Sequence, residues 1–174
     1  MIGDATAFAS LVFGYFFYWT IHADFPPVAA PGLDGPGVVW PMMALVLMLF
    51  GWALTLLARG SNARGRVWTA RTGLAAGAAA TTAGGLAGLA GPWTSGLDPA
   101  LHVYPAIVWV LVIWVAVHAA VGAIMQLYAL GRSLAGRLTA TYDGDVRNIM
   151  VYHHFLALTA LATVLVIAFF PRLA

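Results

Sequence analysis

Long apolar segments alternate with short polar breaks along the whole chain. Five such segments can be drawn, at residues 5–23, 38–58, 67–90, 104–130 and 148–170. About 20 apolar residues in a helix cross the hydrocarbon core of a bilayer, where a helix satisfies its own backbone hydrogen bonds. The breaks carry turn-forming residues, as in DFPPVAAPGLDGPG and AGPWTSGLDP. The pattern predicts an all-α polytopic membrane protein, with five transmembrane helices bundled into one domain over residues 1–174.

The composition favours the same fold class and excludes several functions. Hydrophobic residues make up 62% of the chain and charged residues only 8%, against roughly 25% charged residues in soluble domains. Every basic residue is arginine, every acid is aspartate, and no basic tract indicates a nucleic-acid partner. Because the chain has no cysteine, it cannot form a disulfide, an iron-sulfur cluster or a thiolate metal site by itself.

The placement of arginine predicts the orientation in the membrane. Two connections, the second-to-third and the fourth-to-fifth, are rich in arginine, whereas the other two carry only aspartate as charged residues. Since cytoplasmic loops carry the excess of positive charge, we expect the N-terminus inside, on the cytoplasmic face, and the C-terminus outside. The arginines are Arg59, Arg64, Arg66, Arg71, Arg132, Arg137 and Arg147, and the aspartates are Asp24, Asp34 and Asp98.

The start of the chain lacks the basic region of a typical signal peptide. Its apolar run begins almost at once, so we expect either an abrupt start or an excerpt of a longer chain whose first helix begins upstream of Met1. Asp4 has two interpretations. It is either a first-turn acid, favoured by the helix dipole and hydrated near the cytoplasmic face, or a carboxylate buried inside the bundle with a proton or partner role.

The third segment is unusually rich in small residues. Gly73 and Gly77, then Gly84 and Gly88, repeat at four-residue spacing in GLAAGAAATTAGGLAGLAG. Small residues at this spacing let a neighbouring helix approach the backbone closely. The segment therefore predicts a tight packing face, with an opening for lipid or gas as the alternative.

Histidines are the main candidates for cofactor chemistry. His22 and His102 lie near segment ends, whereas His118 lies near the middle of the fourth segment and His154 about six residues inside the fifth. At about 1.5 Å per residue, His118 is roughly 18 Å and His154 only roughly 9 Å from the inner helix ends. This difference in depth argues against one haem held by both, but a b-type cytochrome using His118 with His154 or His153 stays an alternative. Zinc or copper would need three or four ligands at matched depth, and the sequence shows no such cluster.

The stretch GDATAFASLVFGYF begins with an acid and continues as an aromatic-rich run. It resembles a helix of subunit III of the haem-copper cytochrome c oxidases, with Asp4 standing where that family has its intramembrane glutamate. The stretch WVAVHAAVGAIMQLYALGR resembles the family's His-Gly-x-His region. His118, Gly122 and Arg132 match that region, whereas Val115 replaces its first histidine.

The stretch VYHHFLA resembles the Tyr-Trp-His-Phe-Val-Asp signature at the start of the family's last helix. Tyr152, His154 and Phe155 match the signature, whereas His153 replaces tryptophan and Ala157 replaces aspartate. The resemblance implies that His154 is a buried hydrogen-bonding residue that anchors the last helix, and that His153 lies at the membrane interface. The polar sites that it implies are Asp4, His118, Arg132, Tyr152 and His154.

The resemblance to subunit III also implies a function. The five segments correspond to the family's last five helices, as in the shortened subunit III portion fused to subunit I in some bacteria. Such a chain is an accessory subunit that holds no cofactor, while haem and copper belong to the partner subunits I and II. It packs on subunit I, binds phospholipids, and supports proton uptake and active-site stability during oxygen reduction. A small transporter half is a weaker alternative, because Asp4 is the only candidate for a buried acid.

Overall fold

The chain folds into five α-helices, and the computed structural model describes residues 2–27, 33 and 35–172. The helices are α1 (Ile2–Ile21), α2 (Val39–Ala63), α3 (Val67–Thr94), α4 (Val103–Leu134) and α5 (Gly144–Val164). The last helix continues through a π-helical turn, Leu165–Phe169, and a 3₁₀ turn, Phe170–Arg172. No strand occurs among the described residues, so the all-α prediction is confirmed. Met1, Asp34 and the last two residues lie outside the described part of the chain.

Four of the helical segments are long and apolar enough to cross a membrane. They are α2, α3, α4 and the continuous segment Gly144–Arg172, and their mean hydropathies lie between 1.2 and 2.5. α1, the shortest of the five helices with 20 residues, is not among the four. The chain is therefore a multi-pass membrane protein, and a fifth span at α1 stays a prediction.

The helices extend beyond the predicted apolar segments. α5 begins at Gly144, four residues before the predicted start, and α2 runs on to Ala63 instead of residue 58. α3 continues through Pro92 to Thr94, although the break AGPWTSGLDP was expected to end it. Pro92 lies in the last turn of α3, which lacks the one hydrogen bond that an N–H at this position would donate. Hydropathy predicts only the part of a helix that lies in the hydrocarbon, and these helices extend beyond that part.

α2, α3, α4 and α5 form a closed bundle of antiparallel neighbours. α3 packs against α2 and α4, α5 packs against the same two helices, and α1 lies outside on α4 and α5. At one end, Nδ2 of Asn62 donates to the carbonyl of Thr139 at 2.9 Å, and Arg71 donates to Ser133. The two arginine-rich connections therefore lie at the same end, as the orientation argument requires. Which membrane face this end occupies stays a prediction.

The glycines of α3 lie at its closest approaches to other helices. A Cβ on Gly73 would lie 3.1 Å from the Cβ of Ala58, and one on Gly84 would lie 2.8 Å from Cγ of Met48. A Cβ on Gly77 would lie 2.7 Å from Nε2 of Gln126 in α4. Gly88 is looser, since its nearest atoms would be 3.8 Å away. Gly73, Gly77 and Gly84 thus allow α3 to approach both neighbours closely, in the manner of small residues between membrane helices.

Candidate functional site

His118 lies at the centre of a contact between three helices. Its Nε2 is 3.8 Å from Oδ1 of Asp4 in the first turn of α1. From α5, the hydroxyl of Tyr152 donates to the carbonyl of His118 at 3.1 Å, and the two rings are stacked with centroids 6.4 Å apart. Phe155 and Trp114 complete the surroundings of the imidazole. The structure thus brings together three of the residues singled out from the sequence, one from each of α1, α4 and α5.

The hydrogen bonds of His118 determine where its protons lie. Nδ1 is 2.8 Å from the carbonyl of Trp114, and a carbonyl only accepts, so Nδ1 carries a hydrogen. In a neutral imidazole Nε2 would then present a lone pair to the carboxylate of Asp4, which is unfavourable. The contact is favourable when Nε2 also carries a hydrogen, so that a cationic ring faces the carboxylate.

A second pair of aspartate and histidine provides a contrast. Nε2 of His102 lies 3.4 Å from Oδ2 of Asp24, and its Nδ1 accepts from the backbone N–H of Tyr104 at 3.1 Å, which caps the start of α4. Since Nδ1 accepts, the hydrogen of the neutral ring lies on Nε2 and points to the carboxylate. This pair needs no additional proton. Both pairs consist of an aspartate and a histidine, but the hydrogen of the neutral ring lies on Nε2 in His102 and on Nδ1 in His118.

The position of Asp4 agrees with its interpretation as a first-turn acid and not with that of a buried carboxylate. Asp4 does lie in the first turn of α1, but its contact with His118 places it beside the middle of α4. His118 is 16 positions from Leu134, or about 24 Å along the helix, so Asp4 is far from that end of the bundle. Its side chain is 48% exposed, whereas that of His118 is 13% exposed. Asp4 is therefore a half-exposed acid of the first turn and is not buried inside the bundle. Its nearness to the cytoplasmic face stays a prediction.

The expected roles of the two adjacent histidines are wrong. His153, not His154, is buried: it is 1% exposed, and its Nδ1 bonds the carbonyl of Ile149 at 3.0 Å. Its Nε2 lies 3.4 Å from the hydroxyl of Thr81 in α3. His154 is exposed on the outside of the bundle, next to Trp52 of α2. Adjacent residues on a helix point about 100° apart, so only one of the two can face the interior.

The predicted difference in depth between His118 and His154 remains when it is measured from the helix ends. At the arginine-rich end, α4 extends four residues beyond its predicted segment, to Leu134, and α5 begins four residues before its own, at Gly144. His118 is therefore about 24 Å and His154 about 15 Å from these helix ends. The two imidazoles also contact different helices, since His118 faces α1 and His154 faces α2. Among the described residues, no group of three or more His, Cys, Asp or Glu side chains could hold a metal ion.

Arg132 joins the ends of α4 and α5. Its Nε lies 3.2 Å from Oδ2 of Asp145, although the alignment is not that of a hydrogen bond. Both side chains are about one-third exposed, so the pair contributes at most about 1 kcal/mol to stability. Arg132 thus joins the C-terminal end of α4 to the N-terminal end of α5. It lies 14 positions from His118, about 21 Å along α4.

Sequence reasoning missed a buried polar cluster with one side chain from each of α2, α3, α4 and α5. Nε2 of Gln126 donates to the hydroxyl of Thr55 at 2.8 Å, and that hydroxyl donates to the carbonyl of Gly51 at 2.9 Å. Thr81 and His153 form the second contact of the cluster. Polar residues within apolar helices are the signal that could have identified it. Hydrogen bonds between membrane helices stabilise a bundle by roughly 0.6 kcal/mol each on average.

Comparison with known proteins does not assign the chain to a family. No protein-family model and no curated protein matches the sequence. The resemblance to subunit III therefore depends on the three quoted stretches and on the way the helices bring them together. Residues from each stretch, namely Asp4, His118 and Tyr152, meet around the imidazole of His118.

Proposed function

We propose that this chain is an accessory subunit, similar to subunit III, of an aerobic haem-copper cytochrome c oxidase in a bacterial cytoplasmic membrane. It packs on the catalytic subunit I, either as a separate chain or fused to it, with subunit II in the same complex. Haem and copper belong to those partners, and this chain holds no redox centre. Phospholipids surround and bind it as they do the rest of the complex.

One observation supports the proposal most strongly. Asp4 and Tyr152, from the first and third of the stretches that resemble subunit III, both contact His118 of the second, although they lie 114 and 34 positions from it in the sequence. Nothing in a general membrane bundle requires an acid, an imidazole and a phenol of these particular stretches to meet. A shared site for the matching residues is expected if the resemblance reflects a common function.

The geometry suggests what the site contributes to such a complex. The carboxylate of Asp4 lies 3.8 Å from Nε2 of His118, and its side chain is 48% exposed, so it is partly open at the outside of the bundle. Tyr152 cannot be a proton relay while its hydroxyl donates to a backbone carbonyl, so it holds α5 against α4. We assign to the pair a supporting role in proton uptake, and to Tyr152 the positioning of His118.

Purification of a tagged chain from its native membranes in mild detergent tests the proposal. We expect a partner polypeptide with haem and copper to co-purify, and the preparation to consume oxygen when a reduced cytochrome c is supplied. Deletion of the chain should leave haem in the partner but shorten the time for which the oxidase stays active. The proposal fails if the chain purifies without such a partner, or if the purified chain alone shows a haem band that His118→Ala removes.

A further inference from the structure

The outward face of α5 is a regular stripe. Within residues 150–169 the exposed positions recur every three or four residues, and nearly all of them are apolar. This is the spacing with which a helix packs along another helix in a left-handed pair. The remaining faces of α5 pack on α1, α2 and α4, so the stripe lies outside the bundle. The outer stripe of α5 consists of Val151, His154, Leu158, Leu161, Leu165 and Phe169.

His154 is the only polar residue of the stripe, and it lies within the hydrocarbon. The continuous helix from Gly144 to Arg172 has 29 residues, so it extends several ångströms beyond a hydrocarbon core of about 30 Å at each end. His154 is ten positions from Gly144, about 15 Å along the axis. Its imidazole is therefore below the headgroups, where ionisable side chains nearly always face protein or water.

The imidazole presents an unsatisfied acceptor to its surroundings. Nδ1 of His154 lies 2.6 Å from the carbonyl of Met150 and therefore carries the hydrogen, which leaves Nε2 as an acceptor. No described residue donates to Nε2, and lipid chains have no donor to offer. The ring centroids of His154 and Trp52 are 5.1 Å apart. The buried Nε1–H of Trp52 has no acceptor among the described residues. Unpaired polar groups in an apolar environment are costly, so a donor at this position stabilises the exposed ring.

We propose that the outer stripe of α5 docks one transmembrane helix of a partner protein, and that this helix donates a hydrogen bond from a hydroxyl or amide side chain to Nε2 of His154. A second copy of this chain does not fit as well, because two such stripes would bring two acceptors together. The apolar members of the stripe supply the packing surface, and His154 determines the register. We call this contact between the outer stripe of α5 and the partner helix the docking seam. It rests on the proposed function only for the identity of the partner protein.

Photo-crosslinking in the native membrane tests the seam. A benzoylphenylalanine at Leu158 should crosslink to one membrane polypeptide, at a helix that carries Ser, Thr, Tyr, Asn or Gln near the crosslinked site. The same probe at Leu86, which is equally exposed on α3, is the matched control and should not capture that helix. His154→Leu removes the acceptor and should lower the yield several-fold, whereas His154→Gln keeps an acceptor and should retain most of it.

Each other outcome has a definite meaning. Crosslinks from Leu158 to lipid or to a second copy alone, or an unchanged yield in His154→Leu, would overturn the docking seam. If the captured helix belongs to a protein without haem and copper, the seam stands and the proposed oxidase function fails. If the oxidase co-purifies but only the Leu86 probe reaches it, the function stands and the seam is wrong.

Discussion

Asp4 and His118 are 114 positions apart in the chain, and their side chains lie 3.8 Å apart between α1 and α4. The imidazole donates from Nδ1 to its own helix, so the nitrogen that faces the carboxylate has a hydrogen only when the pair has taken up a proton. The distance is longer than a direct hydrogen bond and within the range of an ion pair. Under the proposed function, this pair takes part in proton uptake at the outside of the bundle.

Replacing Asp4 by asparagine tests the role of this proton. Asp4→Asn keeps the size of the side chain but cannot share a proton with His118. We expect an unchanged haem and copper content of the complex and, during sustained oxygen consumption, an activity that declines several-fold faster. Stopped-flow proton uptake and turnover-dependent inactivation measure the effect.

The matched control is Asp24→Asn. Asp24 also faces a histidine of α4, at 3.4 Å, but the tautomer of His102 already supplies the hydrogen for that contact. The control should therefore resemble the native complex in both assays. If the two variants behave alike, the proton-sharing role of Asp4 is wrong and only its place in the first helical turn remains.

The close packing of α3 predicts different tolerance at two glycines one turn apart. An alanine at Gly84 would bring its Cβ to 2.8 Å from Met48 and 3.1 Å from the carbonyl of Ala44. Gly84→Ala should lower the free energy of unfolding by about 1–3 kcal/mol, the usual cost of overpacking. Gly88→Ala, with nothing nearer than 3.8 Å, should change it by no more than about 0.5 kcal/mol. Unfolding in mixed micelles compares them, and equal losses would contradict the packing described.

The buried hydrogen bond between Gln126 and Thr55 predicts a measurable coupling. In a double-mutant cycle of Gln126→Met and Thr55→Val, the interaction energy should be about 0.6 kcal/mol and at most about 1.7 kcal/mol, the range for such bonds in membranes. Thr163→Val is a suitable control, since the buried hydroxyl of Thr163 has no partner among the described residues. That variant should be neutral or more stable. Additive effects at Gln126 and Thr55 would show that their contact contributes nothing.

The arginine-rich end predicts which loops face the cytoplasm. Because the chain has no cysteine, single cysteines can be introduced without background labelling. Ala140→Cys lies at the arginine-rich end and Ala100→Cys at the other, and both positions are exposed. In intact spheroplasts, an impermeant maleimide should label Ala100→Cys at once and Ala140→Cys only after permeabilisation. The reverse pattern would overturn the orientation.

Apolar patterning predicted the helices because a bilayer requires long apolar runs, and the turn residues between them are distinct. The same patterning could not say which side of a helix faces inward. The membrane is as apolar as the bundle core, so apolar residues occur on every side of α5 and no polar face marks its exterior. Only the resemblance assigns burial to His154 rather than His153, and the structure shows the reverse.

The sequence could not predict contacts between helices that are distant along the chain either. Nothing local pairs residue 4 with residue 118, because the contact depends on the level at which α1 packs against α4. The small face of α3 could be predicted, because repeated glycines in a membrane segment have few uses other than close approach.

The most direct test of the central claim is an absorption spectrum taken before and after the chain is separated from its partners. Purified with its complex, the preparation should show haem bands in the reduced-minus-oxidised spectrum. After mild dissociation those bands should remain entirely with the partner, while this chain is colourless and free of copper. A haem band that stays with the isolated chain and disappears in His118→Ala would contradict the account.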